Sequence, residues 1–295
     1  MTAMLSVQLG SALSVDFISS VGPAGTAWLR LSMGALIFLV IARPPLRSIR
    51  THDLPALLAL GVVTGSMTVA FLNAIERIPL GTAVSIEFLG PLTVAAVRGH
   101  SARALAWPAM ALVGVVLLTE PWHGEINIAG VGFAVLAGVG WGSYILLTQR
   151  VGDRFSGIGS LSITITIAAA TAAIAGIPQA TGNLSTGIVA AAAGLALLLP
   201  VLPFALELLA LRRMTPTAFG TLMALEPAMG VLLGLIVLHQ RPSVTQLTGI
   251  LLVVLAGAAA QRGGERRRSS ESIGSSAGSS VDDAVGGHPT EAPLP

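Results

Sequence analysis

Apolar stretches of near-membrane length recur through the first 261 residues, separated by short breaks rich in Gly, Pro or Arg. A helix rising 1.5 Å per residue needs about 20 apolar residues to cross a hydrocarbon layer of about 30 Å. The spacing predicts ten helices, over 3–21, 24–42, 54–74, 79–97, 104–119, 127–149, 158–178, 186–210, 217–238 and 243–261. The spans leave roughly seven residues per connection, too few for a separate domain. From Arg262 onward the chain turns Ser/Gly-rich, mixed in charge and nearly free of large apolar residues, so 262–295 is expected to be a disordered tail.

Composition makes the spans transmembrane. The chain of 295 residues is 53% hydrophobic and 10% charged, with a mean hydropathy of +0.82, whereas soluble domains carry about 25% charged residues. Too few charges exist to wet a globule, so the fold class is an all-α integral membrane protein with the lipid bilayer as its first partner. The first span has no basic leader and no small-residue cleavage site, and reads as a retained helix.

Several chemistries are excluded. With no cysteine there are no disulfides, thiol nucleophiles or thiolate metal sites. His52, His100, His123, His239 and His288 fall at span ends or in loops without metal-ligand spacing, so no metal is expected. No basic patch with interleaved aromatics exists, which argues against nucleic acid. No phosphate-binding loop occurs, so no nucleotide cofactor is called for and the energy for any transport would come from a gradient. An intramembrane protease would need a deep Ser/His pair or two facing Asp, and neither is present, so no enzyme is expected.

Every cation is an arginine, and its placement orients the chain. Arg43, Arg47, Arg50, Arg98, Arg103, Arg150, Arg154, Arg212, Arg213, Arg262, Arg266, Arg267 and Arg268 fall on one side of a ten-span chain, against Arg77 and Arg241 on the other. Positive charge marks the cytoplasmic side. Both termini are therefore expected in the cytoplasm.

The two halves resemble each other. Arg77 and Pro91 correspond to Arg213 and Pro227 at one constant offset of 136 residues. Five spans is an odd number, so the second copy (125–261) would be inverted relative to the first (1–124). Inverted repeats place a binding site near the midplane, at the interface between the copies.

An ionisable side chain in the hydrocarbon costs at least about 2.5 kcal/mol and marks a functional site by default. Glu87 and Glu226 each lie near the middle of their spans. Under the repeat each is three residues, one helical turn, from the other's mate, so two carboxyls are expected to face the symmetry axis. They can carry a proton or hold a substrate ammonium; beside Pro91 and Pro227 they can equally serve local hydrogen bonds. Asp16 and Arg30 lie at comparable depth and can pair, or Arg30 can grip a substrate carboxylate with two bonds. Glu207, near Arg212 and Arg213, can form an interfacial ion pair or line a cavity. Trp141 and Tyr144, three apart on one helix face, can stack on substrate or simply pack. The pairs Gly61/Gly65, Gly138/Gly142 and Gly230/Gly234 permit close helix packing.

Longer motifs point to a family. Ile78-Pro79-Leu80-Gly81-Thr82-Ala83-Val84-Ser85-Ile86-Glu87-Phe88-Leu89-Gly90-Pro91 and Phe219-Gly220-Thr221-Leu222-Met223-Ala224-Leu225-Glu226-Pro227 resemble the EamA-type branch of the drug/metabolite transporter superfamily. Gly22-Pro23-Ala24-Gly25, Trp28-Leu29-Arg30-Leu31, Trp141-Gly142-Ser143-Tyr144 and Leu202-Pro203-Phe204-Ala205-Leu206-Glu207 look most like its threonine/homoserine exporter subgroup. The resemblance implies ten helices in two inverted five-helix repeats around a central cavity. It also implies export of small metabolites; an amino acid such as threonine or homoserine is the expected cargo, with proton antiport through Glu226 or Glu87 as the expected coupling. One departure stands out: the ninth span ends Leu238-His239-Gln240, where the family usually shows Gly-Glu. Export of another small metabolite or drug is the alternative within the superfamily. A scaffold or sensor acting through the tail is the alternative outside it.

Overall fold

A computed structural model describes residues 2–42, 54–98, 105–120, 122, 126–151, 158–203, 206 and 222–260. The tail, Glu207 and the first part of the span expected over 217–238 lie outside the described residues. Among the described residues the chain is helical and has no strand.

The helices are α1 (Thr2–Ala42), α2 (Leu54–Ile75), α3 (Leu80–Arg98), α4 (Ala106–Thr119), α5 (Ile128–Val151), α6 (Ile158–Ala180), α7 (Thr186–Ala196), α8 (Glu226–Val237) and α9 (Val244–Ala260). Five of these segments are long and apolar enough to cross a membrane. Large apolar side chains such as Ile174 and Val244 stand out from the surface, 79% and 81% exposed. That suits a molecule solvated by lipid.

The first helix is two arms. Gly22 takes φ 74° and ψ 168°, and Pro23 starts the second arm. Glycine adopts this positive φ without a Cβ clash, and proline begins a helix because the N–H it lacks would be unpaired there anyway. The arms fold back on each other: Arg30 reaches Ser14, 16 residues away, at 3.4 Å, whereas a straight helix would separate them by about 24 Å. Gln179 at the end of α6 seals the turn. Its Oε1 accepts from the Ala24 N–H at 2.7 Å and the Gly25 N–H at 3.1 Å, two of the unpaired donors of the new helix.

Two spans depart from expectation. The span expected over 186–210 leaves α-helical geometry at a π turn over Leu197–Val201, where Leu199 has φ −159° and ψ 113° beside Pro200. Proline removes a backbone donor and crowds the preceding turn, so the ladder re-forms with a wider loop. In the ninth span the chain turns at Ala224–Leu225 and α8 starts at Glu226. Glu226 therefore sits in the first turn of α8 rather than inside an unbroken helix. Pro227 is the cause, since it can open a helix but cannot bond back into one.

Glycine contacts set the packing. A Cβ on Gly61 would stand 2.4 Å from the Ile167 side chain, and one on Gly65 2.6 Å from the Ala168 carbonyl, so α2 rides directly on α6. Gly90 and Gly138 bring α3 onto α5, and Gly114 and Gly249 bring α4 onto α9. The second arm of α1 packs along α6 through Gly25–Ala180 and Trp28–Gly176. Helix α3 packs along α8 through Leu80–Gly234, Gly81–Val231 and Val84–Gly230. In both pairs numbers rise on one helix as they fall on the other, so the partners are antiparallel. The three glycine pairs singled out in the sequence all lie at such approaches.

Candidate functional site

Three charged side chains singled out in the sequence come together. Arg30 on the second arm of α1 is 3% exposed, and Glu226 at the start of α8 is 6% exposed. Glu87 on α3 is half-buried. It lies within electrostatic reach of both the Glu226 carboxyl and the Arg30 guanidinium.

The packing explains the convergence. Since Val84 meets Gly230 and Leu80 meets Gly234, continuing the antiparallel register brings Glu87 level with Glu226 and Pro227. Each acid then lies one turn from the Val84–Gly230 contact. Behind Glu87, Gly138 gives α5 its place: a Cβ there would stand 2.9 Å from the Glu87 carbonyl. On the same helix, Trp141 meets Phe88 edge-on, with ring centroids 6.2 Å apart at 67°. Tyr144, one turn further along α5, is half-buried.

Arg30 takes a partner other than the one anticipated. Its Nη1 donates to Ser14 Oγ, and Ser14 in turn donates to the Gly10 carbonyl. Asp16 is exposed, and its carbonyl accepts from Ser19. Residues two apart on a helix point about 200° apart. Once Ser14 faces Arg30, Asp16 faces away, and the expected pair does not form. The Nε of Arg30 is buried with no hydrogen-bond partner in the protein.

A neutral polar wall adjoins these charges. Gln8, Ser11 and Ser14 on the first arm of α1 are all buried, at 2%, 2% and 0% exposure. They recur every three residues, so each neighbours the next along a stripe that winds about 120° round an otherwise apolar helix. That spacing was the available signal. The departure at Gln240 also finds its meaning here. Gln240 Oε1 accepts from the Leu80 N–H at 3.1 Å and so caps the first turn of α3. An acceptor oxygen suffices for this, and glutamine supplies one as a carboxylate would.

Opposite charges buried between antiparallel apolar helices, with a helix broken beside one of them, define a polytopic membrane protein with a polar centre. This is the construction on which secondary transporters bind their cargo. The chain belongs to the EamA-like transporter family. The family model matches residues 128–259. The chain is similar to the threonine/homoserine exporter RhtA of Escherichia coli (strain K12), with 33% identity over 257 residues, 84% of each chain. It is similar also to the threonine/homoserine exporter RhtA of Salmonella typhimurium (strain LT2), with 34% identity over 258 residues, 86% of this chain and 87% of the relative.

Proposed function

We propose that this protein exports small metabolites across the cytoplasmic (inner) membrane, specifically amino acids such as threonine and homoserine, in exchange for protons. The observation that carries the reading is the convergence of buried Arg30 and Glu226 with half-buried Glu87. One cation and two carboxyls complement a zwitterion. Arg30 takes the substrate carboxylate through its planar fork, and one acid takes the ammonium. The other acid accepts a proton when the ammonium leaves, because the two carboxylates then repel each other, so substrate and proton are bound in alternation and move in opposite directions. Trp141 and Tyr144 close the apolar side. Asp16, on an exposed face, takes no part in this arrangement. Glu207 is assigned to the cytoplasmic approach on its sequence position alone. The names of the relatives supply the substrate class.

The proposed architecture is ten spans in two inverted repeats, 1–124 and 125–261, with both termini in the cytoplasm. It is supported by which helices touch. With an offset of 136 residues, the second arm of α1 corresponds to α6, α3 to α8 and α4 to α9. Each of these pairs packs together through a glycine. Helices beside a twofold axis meet their own mates in this way.

The test is reconstitution into liposomes with labelled threonine. An imposed pH gradient should drive threonine uphill in the native protein. In Glu226→Gln the gradient should lose its effect while threonine–threonine exchange persists. Gradient-driven transport at the native rate in Glu226→Gln would remove the proton role. In cells, expression should raise extracellular threonine or homoserine, and a drug or nucleotide-sugar phenotype in their place would overturn the substrate class.

A further inference from the structure

A zwitterion satisfies Arg30 and the two acids, yet every small amino acid is a zwitterion, so these groups cannot select among them. Selection needs another polar contact, and the first arm of α1 carries an unused one. Gln8 is 2% exposed, and its Oε1 is buried without a hydrogen-bond partner in the protein. Native proteins leave few such atoms, because an unpaired buried acceptor costs about 1–3 kcal/mol.

Its position gives the cost a use. Gly230 on α8 lies beside the amide: a Cβ on that residue would stand 3.4 Å from Gln8 Oε1 and 3.3 Å from Val84 Cβ. Gly230 is one turn from Glu226, and Val84 is one turn from Glu87. Gln8 thus reaches the α3–α8 contact one turn from both acids. Along α1 the same stripe continues through Ser11 to Ser14, which holds Arg30. Arg30 and Gln8 therefore stand at opposite ends of one polar wall, with Ser14 about 9 Å from Gln8 along the helix. Both carry a buried polar atom without a partner, a donor at Arg30 Nε and an acceptor at Gln8 Oε1.

We propose that Gln8 is the specificity-determining residue, and that its amide oxygen accepts a hydrogen bond from the side-chain hydroxyl of the exported amino acid. The assignment rests on the amino-acid exporter reading above. It gives each polar group of a hydroxy amino acid its own partner: the carboxylate at Arg30, the ammonium at the acids, the hydroxyl at Gln8. An analogue with a methyl in place of the hydroxyl would leave the Gln8 oxygen unpaired, the situation in which polar sites discriminate most strongly.

Threonine and valine are isosteric and differ only in that group, as homoserine and norvaline nearly do. The experiment measures kcat/KM for threonine and for valine in liposomes containing the full-length native protein, Gln8→Met or Gln8→Asn. Methionine keeps the length of glutamine and removes the acceptor; asparagine keeps the amide and withdraws it. The threonine-to-valine ratio is expected to exceed ten in the native protein and to fall about tenfold in both variants, the size of one neutral hydrogen bond. A structural role would lower both substrates together and leave the ratio standing. That outcome in whichever variant inserts overturns the assignment to Gln8 but spares the exporter reading, as does a native ratio near one. Absence of threonine and homoserine transport in the native protein overturns the exporter reading and the hydroxyl assignment with it.

Discussion

A guanidinium buried with one long bond to a serine hydroxyl and an unpaired Nε is poised for a stronger partner. Hydrogen bonds involving charged groups contribute about 1.5–3 kcal/mol. Replacing Arg30 by Gln should therefore raise the KM for threonine about ten- to a hundredfold in liposome assays. Arg30→Lys should fall between, because an ammonium keeps the charge and loses the fork. Ser14→Ala should change KM less than about threefold, since a 3.4 Å contact is weak. Arg30, Glu87 and Glu226 were legible in the sequence because charges are so scarce within its apolar spans. The pairing of Asp16 with Arg30 that depth suggests fails for a geometric reason. Depth follows from counting residues, but which way a helix faces is decided by its neighbours, and Ser14 rather than Asp16 faces Arg30. Gln8, Ser11 and Ser14 escaped notice because neutral polar side chains are common in membrane helices. Their succession as neighbours shows only when the spacing is laid on a helix.

Among elements, the α3–α5 contact beside Glu87 is the least forgiving. A Cβ on Gly90 would stand 1.9 Å from the Gly138 carbonyl, so alanine there must force the two backbones apart. Overpacking costs typically about 1–3 kcal/mol. Gly90→Ala should lower the melting temperature in detergent and slow threonine transport, whereas Gly132→Ala on α5, where nothing lies within 4 Å, should do neither. Helix ends give a second contrast. Removing the cap in Gln240→Ala should destabilise by about 0.5–2 kcal/mol. Gln240→Glu should be at least as stable as the native protein, because a helix N-terminus favours negative charge. Thermal melts of the three proteins decide it, and a lower melting point for Gln240→Glu would contradict the capping role. Most helix bounds could be read from hydropathy to within about two residues. The exceptions lie at Pro200 and Pro227, where a proline alters the ladder inside an unbroken apolar run and hydropathy does not register it. The caps from Gln179 and Gln240 join residues more than 150 positions apart, beyond the reach of local pattern.

At the scale of the whole molecule, one hydrogen bond between the proposed repeats, from Ser6 to the Leu198 carbonyl, lies inside a span, and three others gather at the ends of helices. Gln179 caps the second arm of α1, Gln240 caps α3, and Ser243, which opens α9, donates to the Glu120 carboxyl at the end of α4. In the proposed orientation these ends face away from the cytoplasm. A transporter built this way must part α3 from α8 there to release its cargo, so a covalent tie between them should stop the cycle. The chain suits the test because it has no cysteine of its own. A Cβ on Gly234 would stand 3.8 Å from Leu80 Cβ, the usual Cβ separation across a disulfide. The double variant Leu80→Cys with Gly234→Cys should form that bond on oxidation, lose threonine transport by more than about tenfold, and regain it on reduction. Each single variant should be insensitive to oxidant. Removing the Ser/Gly-rich residues 264–295 should leave transport in the same liposomes unchanged. Undiminished transport in the fully cross-linked protein would mean that α3 and α8 move as one body, and the opening would have to lie elsewhere in the bundle.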